Sequence, residues 1–270
     1  MKQYQYGLNV NKLGEFISTP AEKKSDSGLY ALIIDIPEYR LERVMLKKGK
    51  TFSFTAPDEF ETTIYVEEGS VKVKDVTLKS RGTMAIPPRA KIEVLALAHA
   101  VAYFFSGPAD DGGMYYKAQT TVDHRDKYWG EIETIVSKGG YSGKRMVVKK
   151  GKYASLEFHC KKLETYYIES GKLLLRLRAG RGEDRFFELL QGGATVTPPG
   201  LMHQRGGLED TVIIEISTKD EDSDSYLVED GAKTKMPRLE THLQESPQWG
   251  RRICFDIDGV ICTQTNGNYD

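Results

Sequence analysis

Two imidazoles and two carboxylates stand in a spaced pattern in the second half of the chain. The frame is Gly151-x5-Glu157-x-His159-x4-Glu164-x6-Gly171, followed by Gly192-x5-Pro198-x-Gly200-x2-His203. If residues 152–159 form a strand, Glu157 and His159 share a face because side chains alternate with period two, and Glu164 and His203 complete a pocket. Such a donor set suits one divalent first-row cation.

What must position these donors is a β-rich framework that occurs twice. ArgValMetLeuLysLysGlyLys at 43–50 matches ArgMetValValLysLysGlyLys at 145–152, and TyrValGluGluGly at 65–69 matches TyrIleGluSerGly at 167–171, both at an offset of 102 residues. Pro87-Pro88 and Pro198-Pro199 match at an offset of 111, as do residues 101–105 and 212–216. The second copy is therefore about nine residues longer in its middle hairpin, and the charged stretch 179–185 is the expected site of the extension. Short apolar runs separated by Gly, Pro and Asp turns predict an all-β chain of sandwich or barrel type.

The first copy serves as an internal control. The offsets place Thr55, Pro57, Thr62 and Ile92 where Glu157, His159, Glu164 and His203 stand, so all four donors are missing. Glu61 lies one residue off register and is expected on the opposite face of its strand. Residues 1–118 are thus expected to form a metal-free unit and 119–230 the metal-binding one, with 231–250 as a linker.

Composition excludes several classes of partner. Lys plus Arg (38) nearly balances Asp plus Glu (39), which gives no electrostatic reason to expect nucleic acid or an anionic membrane. No apolar run approaches the ~20 residues of a membrane helix, and the first residues lack a signal-type apolar core. Three cysteines without CxxC spacing fit a reducing compartment, so the expectation is a cytoplasmic protein. Exposed sheet edges make a homodimer the default assembly.

The two spaced motifs resemble those of the cupins, jelly-roll barrels that hold a metal near the mouth, and the resemblance implies two tandem cupin domains. Glu157 stands where many cupins place a first His and Gly207 where an Asn often follows. A carboxylate in that slot makes the site harder and more anionic, favouring Mn, Fe, Zn or Ni over Cu(I). Residues 128–230 further resemble the cupin domain of type II phosphomannose isomerases. Trp129-Gly130, Lys144-Arg145, the Glu157/His159/Glu164 element, the Pro198/Gly200/His203 element and Glu229-Asp230 carry the likeness. It implies a phosphorylated or nucleotide-linked sugar as ligand, with isomerase or epimerase chemistry in surface-polysaccharide precursor synthesis. The alternatives are a non-catalytic sugar-binding or dimerisation module serving a phosphatase, and another metal-cupin enzyme such as a dioxygenase or aminohydrolase.

Strand parity offers Tyr166 and Lys162 as candidate bases and Arg205 as a candidate phosphate ligand, with Tyr166 also readable as a core aromatic. Arg176, Arg178, Arg181 and Arg185 read as a solvated charged face, Cys160 as a packing side chain, and His99, His124 and His242 as surface residues. At the far end, ICFDIDGVI carries Asp256-x-Asp258-Gly259, which resembles the first motif of haloacid dehalogenase-type phosphatases. That likeness implies a nucleophile at Asp256, an acid and base at Asp258 and a Mg ion if the domain were complete; the expectation is a phosphatase-type domain cut short after residues 251–270.

Overall fold

A computed structural model describes residues 8–109 and 114–234. The chain folds almost entirely into antiparallel strands, arranged as two jelly-roll barrels in tandem, each with a larger and a smaller sheet. In the first barrel the larger sheet runs, in spatial order, Gln119–Thr120, Gly82–Ile86, Phe60–Glu68, Ala100–Pro108, Arg40–Leu46, Gly28–Asp35 and Glu22–Ser25. Its counterpart in the second barrel runs Ile17–Ser18, Ala194–Thr197, Glu164–Ser170, Thr211–Thr218, Tyr141–Val148, Gly130–Ser137 and Asp123–Lys127. The smaller sheets are Thr51–Thr55, Lys91–Ala96, Ser70–Val73 and Val76–Lys79, against Arg185–Leu190, Lys172–Ala179, Leu201–Gly207, Leu156–Phe158 and Tyr226–Glu229. No helix among the described residues is long and apolar enough to cross a membrane.

The repeat seen in the sequence is kept bond for bond. The Arg89 amide donates to Pro57 O as the Gly200 amide donates to His159 O, and Gly49 donates to Ala96 as Gly151 donates to Gly207. Gly69 and Gly171 adopt φ of 78° and 82°, and a Cβ there would lie 1.9 Å from His99 O and 2.2 Å from Asp210 O, so only glycine fits either turn. The nine-residue difference lengthens one hairpin: Lys172–Ala179 and Arg185–Leu190 replace the four-residue strands Ser70–Val73 and Val76–Lys79.

The two larger sheets pack face to face, so their strands are buried on both sides and read as near-continuous buried runs. Along Phe60–Glu68, Ile64 and Val66 point into the first barrel while Tyr65 joins the layer between barrels. That layer combines Tyr39, Leu41, Tyr65, Tyr103 and Phe105 with Tyr141, Tyr167, Ile214 and Ile216. Its polar contacts are reciprocal. Tyr39 OH lies 3.0 Å from Thr165 Oγ1 and Tyr141 OH 2.9 Å from Thr63 Oγ1, while Arg43 grips Glu169 at 2.7 and 2.8 Å and Arg145 grips Glu67 at 3.0 and 3.1 Å. Residue i meeting j while j meets i is the signature of a two-fold interface, here within one chain.

The boundary expected at 118/119 is crossed in both directions. Ile17–Ser18 pairs with Ala194–Thr195 in the second barrel, and Gln119–Thr120 pairs with Gly82–Thr83 in the first. The 3-10 helix Val10–Phe16 leads directly into the strand Ile17–Ser18 and places Leu13 in the apolar core of the second barrel. At the other end, the first residues of the expected linker hold to the barrel: Gly231–Lys233 form a 3-10 turn, and Gln204 Nε2 donates to Thr234 Oγ1 at 3.2 Å. His242, Asp256 and Asp258 lie outside the described residues.

Candidate metal centre

Glu157 sits on the strand Leu156–Phe158 directly opposite His203 on Leu201–Gly207. Glu164 opens the next strand of the larger sheet, and His159 follows the first strand's end, so all four expected donors converge at one mouth of the second barrel. His203 and Glu164 are fully buried, and one donor atom each from Glu157, His159 and His203 lies within 4.8 Å of the others.

Both imidazoles are held in one tautomer. His159 Nδ1 lies 2.8 Å from the Asp224 carbonyl oxygen and His203 Nδ1 3.0 Å from that of Leu201. A carbonyl oxygen only accepts, so each Nδ1 carries a hydrogen and each Nε2 faces the pocket, with a lone pair to offer whenever the ring is neutral. His203 Nε2 then faces Glu164 Oε1 at 2.9 Å, with both side chains fully buried. A carboxylate oxygen and a ring nitrogen at that distance need a proton or a cation between them. The remaining separations are 3.8 Å from His159 Nε2 to Glu164 Oε2 and 4.0 Å from His203 Nε2 to Glu157 Oε1. Bonds of about 2.1 Å to a single ion place neighbouring donors about 3 Å apart and opposite ones about 4 Å, so the donor set fits a divalent cation.

Basic side chains already sit on both carboxylates. Lys162, buried, places Nζ 2.8 Å from Glu164 Oε2, 2.7 Å from Glu215 Oε1 and 3.0 Å from Asp220 Oδ1. Burial alone would lower the Lys162 ammonium, yet Glu164, Glu215 and Asp220 hold it well above its ordinary value. Tyr166 donates to Glu164 and accepts from Arg205 Nη1 at 3.0 Å; burial drives its phenol well above the ordinary range. Both sequence candidates for a base are thus held protonated and act as donors. Arg205, expected to meet a phosphate, is instead buried under Trp129 and Tyr166 and paired with Glu157 at 2.5 Å.

Electrostatically, the carboxylates stay ionised. Burial would raise the Glu164 carboxyl, but Lys162 and His203 hold it well below its usual range; for Glu157 the same contest is decided by Arg205 and His203. Burial would lower His203, and Glu164 with Glu157 instead raises it, so without a metal the positive charge between His203 and Glu164 is a proton.

Other expectations need correction. Arg176 is buried and Arg178 largely so, both clamped on Asp184 and Glu229 at 2.7–3.2 Å, because the lengthened hairpin folds its charges inward onto the strand Tyr226–Glu229. Cys160 is exposed on its turn. Glu61 does face away from the first barrel's interior, toward Lys138 Nζ (3.3 Å) and Tyr141 OH (3.2 Å) of the second. His99 and His124 are on the surface. Sequence reasoning missed Glu215 and Lys144 as parts of the site. The signal was a single charged residue at inward parity: Glu215 shares a face with Ile213, and Lys144 with Met146 and Val148, both lining that barrel.

The first barrel fills the equivalent interior with hydrocarbon. Ile64, Ile92, Val94 and Phe104 stand at the places of Tyr166, His203, Arg205 and Glu215, all within one apolar cluster.

No protein-family model and no curated protein matches this chain. Solved structures do match it. One of oxalate decarboxylase, concerned with its substrate binding mode and reaction specificity, superposes with a TM-score of 0.64 at 12% identity, covering 79% of each chain. Another, on the Mn(II) centres of Bacillus subtilis oxalate decarboxylase, gives 0.63 at 11% identity with the same coverage. Shape therefore fixes the fold: an all-β chain of two tandem cupin-type barrels. The chain carries the bicupin fold seen in those structures.

Proposed function

We propose that the second barrel holds one divalent cation on Glu157, His159, Glu164 and His203 and acts as a metal-dependent cupin enzyme on a small metabolite, while the first barrel is a metal-free structural partner. The observation that carries this reading is the convergence of four ligand-type side chains at coordination spacing: Glu164 lies 2.9 Å from His203 Nε2 and 3.8 Å from His159 Nε2, and Glu157 lies 4.0 Å from His203 Nε2. The internal comparison adds support. Replacing a buried charge cluster by hydrocarbon of similar shape is often neutral or stabilising, and the first barrel shows the same scaffold filled with hydrocarbon. Stability gives no reason for the second barrel to keep its charges, whereas ligand chemistry does.

Bound there, the cation, of the Mn, Fe, Zn or Ni group, would act as a Lewis acid toward an oxygen of the substrate. The chain's own residues supply hydrogen-bond donation: Tyr166, Arg205 and Lys162 all present protons at the inner wall. Isomerisation of a phosphorylated or nucleotide-linked sugar, with its place in polysaccharide precursor synthesis, draws on the resemblance of residues 128–230 to the phosphomannose isomerase cupins. A different metal-cupin reaction has equal support, since Arg205 is neutralised by Glu157 and the two expected bases are protonated. The oxalate decarboxylase structures fit that second reading.

Elemental analysis of protein purified without chelator tests the proposal, with about one cation per chain expected. Because the cation must displace the proton that His203 holds more tightly than usual, binding should weaken as pH falls, starting at a higher pH than an unperturbed imidazole would dictate. Absence of any bound metal, together with no thermal stabilisation by added Mn, Zn or Ni, would overturn the metal reading. Thermal stabilisation of the loaded protein by sugar phosphates, and not by small carboxylates, would select the isomerase reading.

A further inference from the structure

Residues 219–226 cross the mouth of the second barrel as a mostly exposed strap, LysAspGluAspSerAspSerTyr, in which one acidic side chain, Asp224, is buried. Its carboxylate accepts from three consecutive backbone amides, with Cys160 N and Lys161 N at 3.0 Å and Lys162 N at 2.9 Å. These three amides belong to the turn that joins His159 to Glu164. The carbonyl of the same residue receives His159 Nδ1 at 2.8 Å. One residue on, Ser225 Oγ donates to Glu157 Oε2 at 3.1 Å, and four residues back Asp220 holds Lys162, the ammonium seated on Glu164. Three of the four donors are thus oriented from a single segment, and the fourth, His203, is set by its own strand.

We infer that Asp224 is the positioning residue of the centre, fixing the 160–162 turn through its carboxylate and the His159 tautomer through its carbonyl, so that strap closure and cation binding are coupled. This rests on the metal reading above. The physical ground is that an imidazole ligand whose ring is not held by an outer hydrogen bond spreads over orientations and tautomers, and loss of such a partner typically weakens metal affinity about 10–100-fold. Reciprocity follows from linkage: a cation that gains affinity from a closed strap must in turn hold the strap closed.

Mn(II) is the probe. In the unmodified protein, adding Mn(II) should slow hydrogen exchange at the amides of residues 160–162, and competition with Zn(II) should do the same. Asp224→Asn should raise the Mn(II) dissociation constant by about 10–100-fold, abolish the Mn(II)-dependent slowing at 160–162, and shift the 15N signals of His159, measured without metal, toward a tautomer mixture. Ser225→Ala, which leaves the turn intact, should weaken Mn(II) only a few-fold. Should Asp224→Asn fail to fold, the exchange measurement on the unmodified protein and the Ser225→Ala titration still decide the matter. Wild-type Mn(II) affinity in Asp224→Asn, or Mn(II) binding that leaves exchange at 160–162 unchanged, overturns the coupling while the metal centre stands. No Mn(II) or Zn(II) binding by the unmodified protein removes both.

Discussion

At matched backbone positions the first barrel places Thr62, Ile64, Ile92, Val94 and Phe104 where the second places Glu164, Tyr166, His203, Arg205 and Glu215, yet the strand order of the larger sheets and the turn bonds quoted above are the same. The jelly roll therefore closes with either filling. Apolar side chains of the first barrel gain transfer free energy and packing with no partner to satisfy. In the second, every ionised group must find an opposite charge or a hydrogen bond at short range, and the result is a connected network from Glu157 through Arg205, Tyr166, Glu164 and Lys162 to Glu215, Asp220 and Lys144. The difference teaches that the charged interior is an added feature on a scaffold that does not need it.

The comparison is most directly broken by Glu157→Ala combined with His159→Ala. Bound cation should fall from about one per chain to none, whereas Thr55→Ala at the matched place in the first barrel should leave it unchanged; retention of metal in the double variant would contradict the assignment. Next in size is Lys162→Met, which strands Glu164, Glu215 and Asp220 in a buried site without their ammonium. Denaturant melts should show a loss of about 3–5 kcal/mol, against about 2–5 kcal/mol for Ile92→Ala, where only hydrocarbon is removed.

The reciprocal ion pairs between the barrels offer a subtler contrast. Arg43→Met should cost about 3 kcal/mol because, among the described residues, Glu169 is left with Tyr103, whereas Arg145→Met should cost less because Arg81 remains 2.9 Å from Glu67. Equal losses would show that Arg81 does not compensate. The smallest effect is one of pH. Burial would raise Asp220, yet Lys162 and Lys144 push it down to about 2. A depressed carboxylate adds stability that is complete above pH about 4, where the unfolded chain ionises, and is lost as pH falls toward about 2; the amount is about 2 kcal/mol. Asp220→Ala, which places there the residue found at the matched position 109 of the first barrel, should flatten the stability curve across that window.

Much of the fold was legible because it rests on local signals. Period-two alternation with glycine and proline turns gave the β class, and the 102 and 111 offsets gave the duplication and located the longer hairpin at 179–185. Parity correctly turned Glu61 away from the barrel interior. The roles of neighbouring charges were not legible. Parity shows that Lys162 and Tyr166 share a face with Glu164, but whether a lysine there is a base or a permanent ammonium depends on Glu215 and Asp220 arriving from another strand and loop. Arg176 and Arg178 failed as surface residues for the same reason: their partner Glu229 lies on a strand 53 and 51 residues away.

What the amino-acid order determined by itself was the donor inventory of the second copy, its loss from the first, and the strand pattern carrying both, since residue type and alternation are properties of the chain at short range. Only the tertiary structure decided which cations occupy Glu157 and Glu164, which loop orients His159, and that the opening strand of each copy joins the other's sheet. Those outcomes depend on contacts such as Asp224 to Cys160, 64 residues apart, whose existence follows from the register of strands that are neighbours in space and strangers in sequence.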